Sequence, residues 1–277
     1  RAQRLFAKVP ATQRMLRVSS DLFMDIMVTL AMWRFRQFRP VNRIAAAIGR
    51  LHRFAAIRDR DLRRKLTPSY DFGCKRPTLS NVYYRTFNKP HVHLETAGID
   101  RIEPDGVVGT DGTKRVVDTL VLATGFDVWE SNLPAIEVIG REGRDLGKWW
   151  RENRFQAYEG LTVPLFPNML SQASPYAWVG MSWFDTVEYQ MRHMERLFGE
   201  MQRTGARTFE VTEEANARFL DRMLTLLDDS VFLLGNCANS RSYWFNSSGE
   251  APLFRPTTVR QAVKEQQHFP LSDYALA

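Results

Sequence analysis

Residues 116–126 read Val116-Val117-Asp118-Thr119-Leu120-Val121-Leu122-Ala123-Thr124-Gly125-Phe126, a short apolar run that breaks at a glycine. A run of this length, rich in Leu and Val and closed by a turn residue, predicts a strand buried on both faces of a sheet. Thr124-Gly125 would then bring bare backbone close to whatever lies beyond the strand. In open α/β sheets that carboxyl end is where ligands bind. An ordinary core strand ending in a turn has the same pattern, so the neighbouring residues must separate the two readings.

Immediately upstream, Ile99 to Ile102, Gly106-Val-Val-Gly109 and Lys114 to Val117 are spaced as short antiparallel strands. Asp111-Gly112 between the last two is a hairpin signal, because glycine takes a positive φ at no steric cost. Another strand is expected in the alternating Val92 to Glu95. Residues 68–77 have loop chemistry, with proline, glycine and turn-forming Ser and Asp, and they end in Lys75-Arg76-Pro77. Further back, residues 1–66 read as amphipathic helices divided by Pro10 and Pro40. Downstream of the run, Asp185 and Glu188 form a capping box ahead of a stripe of Val187, Met191, Met194, Phe198 and Met201, which reads as a core face. Thr212 opens another helix through Leu227.

The chain has 277 residues with 44% hydrophobic and 25% charged residues, the balance of a globular protein. Its net charge of +7 is unevenly spread: residues 1–66 hold 16 Lys/Arg against 4 Asp/Glu, and the remainder holds 22 against 27. A basic segment of this kind suits solvated helix faces, cofactor phosphate, nucleic acid or anionic lipid. No nucleic-acid-binding motif accompanies it, so a nucleic-acid partner is not expected. The longest candidate membrane segment, Leu22 to Trp33, is only 12 residues and contains Asp25. That is too short to span a bilayer, leaving peripheral contact as the open membrane reading. Cys74 and Cys237 match neither a zinc spacing nor a disulfide framework, which favours a cytoplasmic location. His91 and His93 lack a Cys or carboxylate to complete a metal set, and no nucleophile elbow is present.

Taken together, Lys75-Arg76-Pro77, Tyr83-Tyr84, Phe87-Asn88, His91-Val92, Ala123-Thr124-Gly125-Phe126 and Phe166-Pro167-Asn168 resemble the flavin-dependent monooxygenases of the Baeyer–Villiger and flavin-containing classes. The resemblance implies an α/β class, specifically an incomplete flavoprotein fold of two dinucleotide-binding domains with a helical N-terminal segment. Residues 1–66 would be the helical part of the NADPH domain and 67–117 the return segment with its β-meander. Residues 118–277 would be the C-terminal part of the FAD domain. It implies FAD and NADPH as cofactors, and a ketone and O2 as substrates. One oxygen atom would be inserted beside the carbonyl to give an ester or lactone.

Residue by residue, the resemblance gives Arg76 the role of a fixed cation stabilising the peroxyflavin anion. Arginine suits this because it stays charged whatever its surroundings, whereas a buried lysine loses its proton. Lys75 would meet the extra phosphate of NADPH. Ala123, Thr124 and Gly125 would bind cofactor, as would Tyr243, an aromatic body with a polar tip in Ser242-Tyr243-Trp244. Ser174, Pro175, Met181 and Trp183 would line the substrate pocket.

The chain departs from the family in three ways. Leu165 stands where glycine is frequent, Ser174-Pro175 stands where Gly-Pro is usual, and neither Gly-x-Gly-x-x-Gly loop occurs. Together with Arg1 in place of an initiating Met, this leads us to expect the C-terminal portion of such an enzyme. The isolated chain is expected to be inactive, with an upstream chain supplying the cofactor loops. Two alternatives stay open: oxygenation of nitrogen or sulfur, and a non-catalytic remnant or interaction module.

Overall fold

Pro10 begins helix α1 (Pro10–Val28), at a position where its missing N–H has no intrahelical partner to lose. The computed structural model describes residues 6, 8–179 and 183–277. α1 runs on through a π-helical turn (Thr29–Trp33) that buries Ala31, Met32 and Trp33. α2 (Phe35–Ala56) is broken at Phe38 (φ −116°, ψ 31°), two residues before Pro40, whose ring cannot continue the ladder. α3 (Arg60–Lys65) is capped by Asp59, which accepts from the Leu62 N–H at 2.6 Å. The helical reading of the first segment therefore holds. Among the described residues no helix is long and apolar enough to cross a membrane.

Two compact units divide the chain. The first comprises residues 1–43, 70–76 and 127–277; the second comprises 44–69 and 77–126.

In the first unit, α5 (Leu146–Asn153), α6 (Trp183–Thr204), α7 (Glu213–Leu227) and α9 (Val259–His268) surround an aromatic core. β4 (Phe209–Val211) and β5 (Tyr274–Leu276) pair antiparallel, with Val211 opposite Tyr274. Thr212 caps α7 as its sequence suggests, accepting from the Ala215 N–H at 3.2 Å. The short α8 (Val231–Leu234) follows α7.

Three sequence expectations are corrected here. Asp185 lies inside the first turn of α6, which is already helical at Trp183, so it does not cap the helix from outside. The buried side of α6 is Thr186, Tyr189, Gln190, His193 and Leu197, while Met191 and Phe198 of the supposed core stripe are half exposed. The polar members of that buried side are compatible with the core because they are hydrogen-bonded: Gln190 Nε2 donates to the Gly160 carbonyl at 2.7 Å, and His193 Nδ1 lies 2.7 Å from Gln266 Oε1. Finally, Cys74 and Cys237 are joined in a disulfide across 163 residues, a pairing that sequence spacing gave no reason to expect.

The second unit contains the expected meander, β1 (Ile99–Glu103), β2 (Gly106–Gly109) and β3 (Lys114–Val116), in that spatial order. Gly112 takes φ +76° at the hairpin turn. α4 (Tyr83–Thr86) is a single turn. Residues 92–96 form no strand. The run from Leu120 to Phe126 is not a buried strand either: it is non-regular backbone, with Val121 79% and Phe126 78% exposed. A strand needs a hydrogen-bonded neighbour, and among the described residues neither segment has one.

Candidate active-site residues

Arg76 closes a loop that is anchored at three points. Asn42 Nδ2 donates to the Phe72 carbonyl at 2.6 Å and to the Ala31 carbonyl at 3.1 Å. Asp71 accepts from the Asn236 N–H at 2.9 Å, and the Cys74–Cys237 disulfide sits two residues before the arginine. Gly73 must be glycine here, because it holds φ +99° with the Met32 side chain 3.0 Å from where a Cβ would stand. Beyond these anchors Lys75 and Arg76 are exposed. The Arg76 guanidinium carbon lies 6.0 Å from the centre of the Trp178 ring, at the outer limit of a cation–π contact.

Trp178 connects several of the expected residues. It meets Trp183 edge-on with centroids 6.2 Å apart and stacks on Phe254 at 5.4 Å. Phe254 in turn contacts Trp33, Phe232 and Trp244, the last at 4.6 Å. Tyr243 adjoins Trp244, and its carbonyl accepts from Trp129 Nε1 at 3.1 Å. Arg76, Trp183 and Tyr243 therefore belong to one chain of aromatic contacts. Trp178 falls within the segment from Ser174 to Trp183 that the resemblance assigns to the pocket, but sequence reasoning missed Phe254, since nothing in their spacing pairs residues so far apart.

Ser174 and Pro175 are buried in the same unit, and Met181 lies outside the described residues. Ala123, Thr124 and Gly125 belong to the second unit, where all three are exposed and Gly125 takes φ +93° with nothing within 4 Å of a notional Cβ.

Among the described residues, Trp178 Nε1 and Trp244 Nε1 of this aromatic group are buried without a hydrogen-bond partner, as are Ser174 Oγ and Tyr176 OH in the segment before Trp178. Such an atom costs about 1–3 kcal/mol when left unpaired. Backbone strain collects in the same stretch of sequence. Arg154, Glu159, Leu165, Asn168, Ala173 and Tyr176 all hold positive φ, although none is glycine. Leu165, the residue standing where glycine is frequent, keeps φ +72°. Its N–H donates to Glu210 Oε1 at 3.0 Å and its carbonyl accepts from the Arg141 N–H at 2.9 Å. The left-handed backbone that favours glycine is thus kept without one.

A second polar assembly in this unit was not foreseen. Arg255 is fully buried and pairs through Nη1 with Glu159 Oε2 at 2.6 Å and through Nη2 with Glu265, which also receives Arg222. Burial alone would raise the Glu265 carboxyl; the Arg255 charge and the hydrogen bonds from Arg222 and Arg255 outweigh it and hold the group below its usual range. Above this pair is a cleft of about 240 Å³ lined in part by Tyr158, Arg218, Glu265, His268 and Asp273. His193 has no such charge partner. Burial pushes its imidazole down to about 3, so it is neutral and serves as a hydrogen-bonded spacer between Gln266 and Tyr274.

No protein-family model matches the chain. It is 31% identical over 223 residues to a Baeyer–Villiger monooxygenase of Streptomyces coelicolor, covering 79% of this chain and 42% of that protein. The closed crystal structure of cyclohexanone monooxygenase superposes with a TM-score of 0.75 at 26% identity, covering 86% of this chain and 45% of that one. The fold also matches a crystal structure of OTEMO in complex with FAD and NADP, with a TM-score of 0.73 at 23% identity over 86% of this chain and 45% of the other. The chain thus spans under half the length of the relatives it matches. In sequence and in fold it is a homologue of the Baeyer–Villiger monooxygenases, corresponding to the C-terminal portion of their flavoprotein fold.

Proposed function

We propose that this chain is the C-terminal part of an NADPH- and FAD-dependent monooxygenase that inserts one oxygen atom beside a ketone carbonyl. The balanced reaction takes a ketone, O2, NADPH and a proton to an ester or lactone, NADP+ and water. Bound FAD, reduced by NADPH, supplies the activated oxygen. The residues fit such a flat, anionic cofactor: the Arg76 guanidinium lies over the face of Trp178, whose Nε1 is buried without a partner among the described residues. The observation that carries the reading is Arg76, held beyond a disulfide-anchored loop in a chain homologous to these enzymes.

In this reading Arg76 keeps a permanent positive charge where negative charge develops. Lys75 meets the extra phosphate of NADPH, and Tyr243 packs on the cofactor. Ser174, Pro175, Met181 and Trp183 line the ketone pocket, with the indole edge of Trp178 oriented by Trp183 and Phe254. Ala123, Thr124 and Gly125 offer backbone to the cofactor, with Gly125 at φ +93°, a conformation that favours glycine.

The chain has no Gly-x-Gly-x-x-Gly turn to cradle a pyrophosphate. We therefore infer that it neither holds FAD firmly nor turns over by itself, and that a polypeptide carrying those turns completes the site. Purified residues 1–277 should lack flavin absorbance and leave NADPH unconsumed in the presence of cyclohexanone. Joined behind the glycine-loop half of the Streptomyces relative, they should hold flavin and form lactone. Tight flavin and turnover from residues 1–277 alone would overturn the dependence on a second segment. A flavin-loaded fusion that oxygenates a thioether or amine but no ketone would shift the reaction to nitrogen or sulfur.

A further inference from the structure

The loop of residues 70–76 belongs to the first unit, yet in sequence it stands between two stretches of the second. Its own contacts must therefore hold it in place, and they are unevenly spread. Tyr70 and Phe72 pack on the aromatic core, the Phe72 carbonyl accepts from Asn42 Nδ2 at 2.6 Å, and Asp71 accepts from the Asn236 N–H at 2.9 Å. All of these precede Cys74. Among the described residues, Lys75, Arg76 and Pro77 take part in no hydrogen bond, and Arg76 has its 6.0 Å approach to Trp178. The Cys74–Cys237 bond is thus the last firm tether before the guanidinium.

The two halves of that bond differ in access. Cys74 is 0% exposed and Cys237 6%, and Cys237 lies between α8 and a 3-10 turn (Ala238–Ser240). An incoming thiolate meets the sulfur that has some surface, so attack falls on Cys237 Sγ and Cys74 leaves as the thiolate. The second thiol of the same reductant then displaces Cys237. In the balance, the dithiol gives up two electrons and two protons and becomes a disulfide, while Cys74 and Cys237 become thiols. The hydrogen bonds at Asp71 and Phe72 survive this step, so the loosening falls on the residues after them. With two cysteines in the chain, reoxidation within it restores the same pair.

We propose that Cys74–Cys237 is a reversible thiol–disulfide site: a dithiol reductant opens it and releases the Arg76 segment, and a small-molecule disulfide closes it again. This inference rests on the reading of Arg76 as the stabilising cation and makes the placement of that cation redox-dependent. The test is limited trypsin digestion of the full chain, oxidised or reduced with dithiothreitol, with free thiols counted by alkylation and cut sites identified by mass spectrometry. Cleavage after Lys75 should become at least about tenfold faster on reduction, while cleavage within α6 and α7 keeps its rate. Glutathione disulfide should restore the slow rate. The Cys74→Ser/Cys237→Ser double variant should be cut as fast as the reduced parent, with or without dithiothreitol. In a flavin-loaded fusion, reduction should lower ester formation about tenfold with flavin reduction unchanged. Cleavage after Lys75 that ignores reduction although both thiols are free would overturn the proposal. So would an equal loss of protection in α6 and α7, since the bond would then hold the whole unit together, or a reduced fusion that forms ester as fast as the oxidised one. Failure of the underlying reading shows elsewhere, as undiminished ester formation by the oxidised Arg76→Ala fusion.

Discussion

In the unit built mainly on residues 127–277, Trp129, Trp150, Tyr176, Leu197 and Met223 are shielded almost completely; in the unit made of residues 44–69 and 77–126, Ile44, Ile48, Leu51, Val121, Leu122 and Phe126 face solvent. The residue types are equally apolar. What differs is whether the chain supplies both members of each packing pair. The first unit does: α7 and α9 bring Phe219 and Glu265 to Arg255, and β5 brings Tyr274 to His193. The second has a three-stranded meander and Ile57 and Val108 as its buried hydrophobics among the described residues. Apolarity therefore reports burial only where a partner is at hand.

Substitutions can break this contrast. The largest effect should come from Arg255→Ala, which strands Glu159 in the interior; about 3–5 kcal/mol of stability should be lost in denaturant unfolding. Arg115→Ala in the second unit removes pairs with Glu95 and Asp111 that are open to water, and the midpoint should barely move. Equal losses at the two arginines would erase the distinction. Next, Met223→Ala should cost about 2–5 kcal/mol. Leu51→Ala should stay within about 0.5 kcal/mol, because its side chain is already exposed.

A pH-dependent effect, read as a slope, belongs to His193. Its folded pKa is depressed to about 3, so the native state keeps it neutral while the unfolded chain takes up a proton below about pH 6.5. Its contribution is fully present above the unfolded value and is lost as pH falls toward about 3, at about 1.4 kcal/mol per pH unit. His193→Asn should flatten the stability profile by that amount across the same window. An unchanged slope would show that the imidazole protonates without penalty.

What could be read in the sequence were the local devices. Asp111-Gly112 located the β2–β3 hairpin, Thr212 the start of α7 and Pro10 a division of the helical segment, because each acts on backbone within a few residues. The family resemblance was legible in short motifs, and the homologues bear it out. Features set by distant partners were not legible. Arg255 is 96 residues from Glu159, and Cys74 is 163 residues from Cys237, so neither pairing leaves a spacing signal. The apolar stripe on α6 held only in part, with Met201 packed against the core while Met191 and Phe198 stay half exposed, for a related reason. Periodicity cannot show that Gln190 and His193 find hydrogen-bond partners inside, which frees a polar face to be the buried one. The Leu120–Phe126 run shows the limit from the other side, as a strand-like composition with no ladder to join.

Everything proposed for catalysis rests on the Arg76 charge, and one measurement addresses it. In a flavin-loaded fusion, Arg76→Ala should leave NADPH-dependent flavin reduction within about twofold of the parent and lower ester formation by about 100- to 1,000-fold. Ester formation undiminished in that variant would contradict the assignment of Arg76 as the stabilising cation.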